Sequence, residues 1–189
     1  MNPIKSVEIR KAKLIYYSPT GTGKKTGTAI ANGTGLDHET IDVTPIDSIR
    51  KYEVSSDELA IIVAPVYSGR VSSVAANRIK KLKGNNSPAV LVVMYGNRAF
   101  EDALLELKNF TSELGFRAIA GAAFIGQHAF NSEKTPIATG RPDAEDLMIA
   151  EAFGKKIIEK LRGIGEIPEL EVPGNYPYIV HEQRIRQGG

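Results

Sequence analysis

Leu14-Ile15-Tyr16-Tyr17-Ser18-Pro19-Thr20-Gly21-Thr22-Gly23-Lys24 decides how the rest of the chain is read. Leu14 to Tyr17 are four consecutive apolar or aromatic residues, the pattern of a short strand buried on both faces. The strand breaks into a loop of hydroxyls and glycines, and a helix is expected over residues 25 to about 35. Gly27 and Gly33 weaken that helix, each costing about 1 kcal/mol relative to alanine. Strand, loop and helix in this order let several backbone N–H groups converge on one anion, so the loop reads as a phosphate cradle. The plainer alternative is a hydroxyl-rich turn that only caps the helix.

Two common phosphate loops are excluded by spacing. Lys25-Thr26 resembles the end of a nucleotide triphosphate loop, but the first glycine lies at the wrong distance. Gly21 and Gly23 open a dinucleotide pattern, yet Thr26 stands where its third glycine belongs. A mononucleotide phosphate held mainly by neutral donors fits better.

Outward from this loop, apolar runs alternate with helical segments. His38–Val43 reads as a second strand and Pro45–Ser56 as a polar connection or short helix. Glu58–Pro65 is a third strand, expected to stop at a proline that cannot donate to a ladder. A helix through Ala75–Lys83 follows, then a turn over Gly84–Pro88 and a fourth strand over Ala89–Tyr95. Ala103, Leu104, Leu107, Phe110 and Leu114 recur at helical period within residues 99 to 114, and Gly115 supplies a stop. Arg117–Ile125 is the fifth strand. Gly126–Pro142 is irregular, polar and long, which marks a functional loop or lid. Asp143 is placed to cap a last helix running to about Arg162.

Residues 1–165 are therefore expected to form one α/β domain, and 166–189, rich in proline, an extended C-terminal tail, a strap or a linker. Five strands alternating with helices imply a parallel sheet with right-handed crossovers and helices on both faces. Ligands of such sheets sit beyond the C-terminal strand ends. Three loops then meet at one edge: 18–24, 65–70 and 95–100.

The composition bounds the function. The chain has 189 residues, 42% hydrophobic and 24% charged, enough for one ordinary core. Its charge of +2 is not gathered in basic runs, so nucleic acid is not an expected partner. No apolar stretch approaches the roughly 20 residues of a membrane span, and Met1–Lys13 lacks a signal-peptide core, so a soluble cytoplasmic protein with no membrane contact is expected. With no cysteine, the chain holds no disulfide, thiolate-bound zinc or cysteine-held iron–sulfur cluster. His38 and His181 lack partners at ligand spacing, so no metal site is expected.

The second and third loops each carry a tyrosine at a strand end, Tyr67 and Tyr95, suited to stacking on a flat heterocycle. Gly69, Gly96 and Asn97 would let backbone groups approach ring edges closely. Arg70 and Arg98 could offset negative charge there, or simply pair with nearby acids. His128 reads either as a proton donor or gate over such a ring or as a solvated loop histidine. Glu101 and Asp102 are expected to favour a helix dipole. Lys80, Lys81 and Lys83 read as a solvated helix face, or as a dock for an acidic redox partner.

Taken together, Ser18-Pro19-Thr20-Gly21-Thr22, Pro65-Val66-Tyr67-Ser68-Gly69-Arg70 and Tyr95-Gly96-Asn97-Arg98, in this order, resemble the flavodoxin-like FMN-binding domains. Gly140-Arg141-Pro142-Asp143 and Pro173-Gly174-Asn175-Tyr176-Pro177-Tyr178 extend the likeness to the flavodoxin half of bacterial flavodoxin–ferredoxin fusion proteins. The resemblance implies a flavodoxin-like three-layer sandwich with a five-stranded parallel sheet in the order 2-1-3-4-5. It implies FMN as cofactor, with Ser18, Thr20, Gly21, Thr22 and Gly23 on the phosphate. Pro65, Val66, Tyr67 and Gly69 would line one side of the ring and Tyr95, Gly96, Asn97 and Arg98 the other, with Ser68 and Arg70 also in the cofactor site. Gly23 departs from the Thr or Asn usual in the family, which makes Lys24 the candidate to compensate. The family's small carriers are strongly acidic, unlike this chain.

The function implied is electron transfer through FMN to a separate redox protein or a small electron acceptor, since no cysteine is present for an internal cluster. No acid–base residue of the protein is required, and a homodimer is left open. The alternatives are an NAD(P)H-dependent FMN or quinone oxidoreductase, in which the 126–142 loop shapes a substrate pocket, and a cofactor-free flavodoxin-shaped binding module.

Overall fold

The computed structural model describes residues 8–46, 51–128, 130–163 and 166–179. His181 and the tail beyond residue 179, like Met1–Val7 and part of the 45–56 connection, lie outside the described residues. The elements run β1 (Lys11–Tyr16), α1 (Thr22–Thr34), β2 (His38–Asp42), β3 (Tyr52–Val54), β4 (Glu58–Tyr67), β5 (Arg70–Val71), α2 (Ser73–Ile79), β6 (Leu82–Gly84), β7 (Ser87–Tyr95), α3 (Ala103–Glu113), β8 (Phe116–Ile125) and α4 (Ala144–Gly163).

The five long strands pair in the order β2-β1-β4-β7-β8, every pairing parallel, which is the expected 2-1-3-4-5 arrangement. Side chains alternate across the sheet with the strand period of two. Leu14, Ile61 and Val92 point to the face covered by α1 and α4, while Ile15, Ile62 and Val93 join the cluster with Ile79 of α2 and Leu104, Leu107 and Phe110 of α3. Helices on both faces explain why the central strands read as continuous apolar runs. None of the helices among the described residues is long and apolar enough to cross a membrane.

Three local expectations are corrected. β4 does not stop at Pro65 but continues to Tyr67 and turns back into β5. The Val63 carbonyl faces β1 and accepts the Tyr17 N–H at 3.1 Å; Pro65, two residues on, faces the same side, where β1 has already ended at Tyr16. Its missing donor is therefore not needed by the ladder. The second helix is shorter than the expected 75–83, because Leu82–Gly84 leaves it to pair in parallel with Tyr52–Val54, itself expected to be connection or helix.

The glycines of α1 have a packing cause. A Cβ on Gly27 would lie 2.7 Å from Leu14 Cδ1, and one on Gly33 would lie 2.0 Å from the Glu151 carbonyl oxygen of α4. A Cβ on Gly154 would in turn lie 2.2 Å from the Ile30 carbonyl oxygen. The helix gives up propensity so that α1 can lie close on the sheet and on α4.

Helix α4 starts as expected. The Asp146 N–H donates to Asp143 Oδ1 at 3.0 Å and the Asp143 N–H to Asp146 Oδ2 at 2.9 Å, a reciprocal cap. Arg141 forks onto Asp146, and that hydrogen-bonded pairing holds the Asp146 carboxyl below the usual aspartate range. At the sheet's other end the almost fully buried Glu58 meets Lys11 at 2.9 Å and Lys13 at 3.5 Å. Burial pushes its carboxyl up, but the Ser55 N–H and these two ammonium groups outweigh it, so Glu58 titrates below an ordinary glutamate. A depressed folded pKa contributes stability that is full above the unfolded value, about pH 4.3, and is lost as pH falls through the folded one. Urea midpoints of wild type and Glu58→Gln, compared from pH 6 down to pH 3, are expected to converge as the acid side is approached; a constant gap would refute the coupling.

The tail turns back along the domain. Ile167 packs on the α1/α4 side of the sheet, whereas Leu170 and Val172 pack on the α2/α3 side.

Candidate functional site

At the C-terminal ends of β1, β4, β7 and β8 the loops enclose one cleft of about 880 Å³. Its floor is the 17–23 loop. The Tyr17 N–H is held by Val63 O, the Ser18 N–H by Thr44 Oγ1 at 2.9 Å, and the Gly21 N–H by Ser18 O at 3.1 Å. Ser18 Oγ accepts the Lys24 N–H at 3.1 Å, and Thr20 and Thr22 share a hydroxyl contact at 3.1 Å. Gly21 takes the N-cap position in the left-handed region, φ 79°, where a side chain would be strained.

Gly21 leaves α1 without a side-chain cap, and no acid stands in the helix's first turn. The amides of Thr22 and Gly23 have no carbonyl one turn back within the helix, so their N–H groups are available at the floor. A Cβ on Gly23 would lie 3.2 Å from Val63 Cγ1 and 3.3 Å from Ser18 Oγ. Glycine at this position thus lets the first turn lie close against Val63 of β4 and the Ser18 hydroxyl.

The walls are made by strand ends. Ser68 and Gly69 both have positive φ, 51° and 73°, as a two-residue hairpin turn with right-handed twist requires, and they hold Tyr67 at the mouth. Tyr67 is 50% exposed. Burial, then the Tyr17 phenol, pushes its own phenol above the usual tyrosine value, so it stays neutral. Across the cleft the Tyr95 ring stands edge-on to Phe100, centroids 5.5 Å apart. The third wall is the loop after β8. His128 Nδ1 accepts the Phe130 N–H at 3.0 Å, which leaves Nε2 to carry the proton in the neutral ring.

The cleft brings together Ser18, Thr20, Thr22, Gly23, Pro65, Val66, Tyr67, Ser68, Gly69, Tyr95, Gly96 and Arg98 of the sequence-derived set. Gly21, Lys24, Arg70 and Asn97 do not line it. Gly21 acts through its backbone, and the Lys24 side chain is exposed. Asn97 is exposed with a positive φ of 59°, a conformation asparagine tolerates.

Arg70 turns away from the cleft. Its Nε and Nη2 donate to Glu106 at 2.9 and 2.7 Å, and its guanidinium lies 4.2 Å from the Tyr178 ring centroid. The side-chain hydrogen bond to Glu106 raises its pKa further. Pairing with an acid is thus the reading the structure favours for Arg70.

The close approaches expected at Gly69 and Gly96 are taken by the chain's own side chains. A Cβ on Gly69 would lie 2.2 Å from Glu101 Oε2, and one on Gly96 would lie 2.2 Å from His128 Cδ2. His128 therefore sits in the cleft rather than in solvent. Sequence reasoning left out Tyr17, Pro19, Met94, Ala99, Glu101, Gly126, Gln127 and Phe130, all of which line the cleft. Most adjoin the three loops, and Gly126, Gln127 and Phe130 belong to the long loop already marked as functional.

Asp102 also departs from expectation. It occupies the N-cap of α3, yet its carboxylate makes no cap bond and reaches the tail instead.

The donor set suits a phosphomonoester on a flat heterocycle. Neutral hydroxyls and helix N-terminal amides gather at one end, tyrosine rings at the other, and the enclosed volume is within the range of small-molecule sites.

No family model and no curated protein sequence matches the chain. Its fold is similar to solved flavodoxin-type structures. Oxidised flavodoxin 1 from Bacillus cereus aligns at 15% identity with a TM-score of 0.53, over 79% of this chain and 97% of that one. A short-chain flavodoxin associated with a non-canonical PDU bacterial microcompartment aligns at 9% identity and TM-score 0.55, over 81% of this chain and 99% of that one. Rubredoxin oxygen:oxidoreductase from Desulfovibrio gigas aligns at 14% identity and TM-score 0.57, over 82% of this chain but only 36% of that longer one. These likenesses establish a flavodoxin-like fold.

Proposed function

We propose that the cleft binds FMN non-covalently and that the protein carries electrons between a donor and an acceptor, each a separate redox protein or a small molecule. The observation that carries this reading is the uncapped N-terminus of α1, its Thr22 and Gly23 amides opening onto the floor of the cleft beside the Ser18, Thr20 and Thr22 hydroxyls. These groups would hold the phosphate, helped by the helix dipole. Tyr67 and Tyr95 would bracket the ring, and Pro65, Val66 and Met94 would keep water from its inner edge. FMN, when bound, supplies one- and two-electron redox chemistry; the protein positions it and sets its surroundings.

The alternative is an NAD(P)H-dependent FMN or quinone reductase. It is favoured by one observation: His128, Gln127 and Phe130 of the 126–142 loop all reach the cleft. Anaerobic mixing of the FMN-loaded protein with NADH or NADPH separates the two. A carrier keeps its yellow colour until a redox protein or chemical reductant is added. Rapid bleaching by the nicotinamide alone would overturn the carrier reading.

A further inference from the structure

Asp102 carries the most deeply buried charge near the cleft without lining it: the residue is 0% exposed. Oδ1 accepts the Asn175 N–H at 2.7 Å and its Nδ2–H at 2.9 Å, and Oδ2 accepts the Ile179 N–H at 2.6 Å. An ionised carboxylate is tolerated in such a place only when its oxygens are satisfied, and here each of these donors comes from the tail segment 173–179. The same segment is seated by shape. A Cβ on Gly174 would lie 2.5 Å from Leu105 Cβ, and the Tyr178 hydroxyl accepts Asn109 Nδ2–H at 2.8 Å.

The backbone of Asp102 is tied to a residue of the cleft wall. Its backbone N–H donates to Gly69 O at 3.1 Å, across the turn that holds Tyr67. Its chain neighbour Glu101 and the turn residue Ser68 both line the cleft with positive φ, 43° and 51°. Such conformations persist in side-chain-bearing residues only where the surroundings fix them. A second tie runs through Tyr178, whose ring covers Arg70; Arg70 forks onto Glu106, and Glu106 Oε2 accepts the Val71 N–H at 2.9 Å. The strap thus braces the β4–β5 hairpin from outside, with the cleft on the inside.

We propose that Asp102 is a positioning residue that makes docking of the 173–179 strap and the shape of the cleft a single event, so that strap docking and FMN binding strengthen each other. The ligand half of this proposal rests on the FMN reading above. Linkage makes the effect reciprocal: whatever the strap adds to FMN affinity, FMN adds to strap docking. The wall affected is the ring side, remote from the phosphate loop, so FMN and riboflavin lose affinity by the same factor when the strap is released.

The test uses the full chain in four forms: wild type, Asp102→Ala, Tyr178→Ala, and Glu58→Gln as a destabilised control at the opposite end of the strands. FMN and riboflavin affinities are read by fluorescence quenching, and hydrogen exchange is followed at the Asn175, Ile179 and Val71 amides. Kd is expected to rise roughly tenfold in Asp102→Ala and severalfold in Tyr178→Ala, with an unchanged FMN-to-riboflavin ratio and no change in Glu58→Gln. Saturating FMN is expected to slow exchange at Asn175 and Ile179 in wild type. Wild-type affinity in the strap variants, or exchange indifferent to FMN, would overturn the proposal. Should Asp102→Ala not fold, the affinity of Tyr178→Ala decides alone. Should wild type bind no FMN, the FMN reading fails, and exchange at Val71 still decides the strap's role: faster in Tyr178→Ala than in wild type supports the brace, and unchanged exchange overturns it.

Discussion

Gly33→Ala is expected to lower the melting temperature by roughly 5–10 °C, although alanine is the better helix former. The added Cβ would lie 2.0 Å from the Glu151 carbonyl oxygen and 2.8 Å from its carbon, backbone atoms that cannot rotate aside. Overpacking of this kind costs about 3 kcal/mol or more, against about 1 kcal/mol gained in helix propensity. The net loss of about 2–3 kcal/mol gives the shift at 2–4 °C per kcal/mol for a domain of this size. Gly154→Ala should behave alike, since its Cβ would meet Ile30 O at 2.2 Å. Gly163→Ala at the end of α4 meets nothing within 4 Å and should instead be neutral or stabilising by about 0.5–1 kcal/mol. Thermal melts of the three variants test the helix crossing; equal effects in all three would refute it.

Thr22→Asp has the largest expected effect on function and the opposite sign on stability. Residue 22 is the first of α1, where a carboxylate favours the dipole by about 0.3–1 kcal/mol, so the fold should be unharmed or slightly firmer. The same carboxylate stands at the floor of the cleft, where it meets the proposed phosphate with like charge. Two such charges about 4 Å apart repel by about 4 kcal/mol at an effective dielectric of 20, so FMN affinity should fall by more than about 100-fold. Riboflavin, which lacks the phosphate, should bind Thr22→Asp nearly as it binds wild type. An equal loss for both ligands would place the phosphate elsewhere.

The sheet was readable because its central strands, β4 and β7 above all, are continuous apolar runs, and those runs owe their composition to burial on both faces rather than to distant partners. What escaped depended on partners far along the chain. Leu82–Gly84 continues a helical pattern locally and becomes a strand only through Tyr52–Val54. Pro65 reads as a strand end until β1 is seen to have ended beside it. Gly27 and Gly33 look like helix weakness until Leu14 and Glu151 are found against them.

The cleft follows the same rule. Its floor was readable, since Ser18, Thr20, Thr22 and Gly23 lie within six consecutive residues and reach the cleft together. Arg70 was ambiguous because its partner Glu106 is 36 residues away. Asp102 gave no sign of its role, its donors lying 73 and 77 residues on. His128 was placed in the cleft by Gly96, whose lack of a side chain makes room for the ring.

A titration of the wild-type protein into FMN and, separately, into riboflavin, followed by flavin fluorescence, puts the phosphate cradle to its plainest test. Saturating quenching at one FMN per chain is expected, with riboflavin weaker by about 100-fold, the worth of two charge-assisted hydrogen bonds at about 1.5 kcal/mol each. FMN fluorescence that stays unquenched, or equal affinity for the two flavins, would contradict a mononucleotide phosphate site at the start of α1.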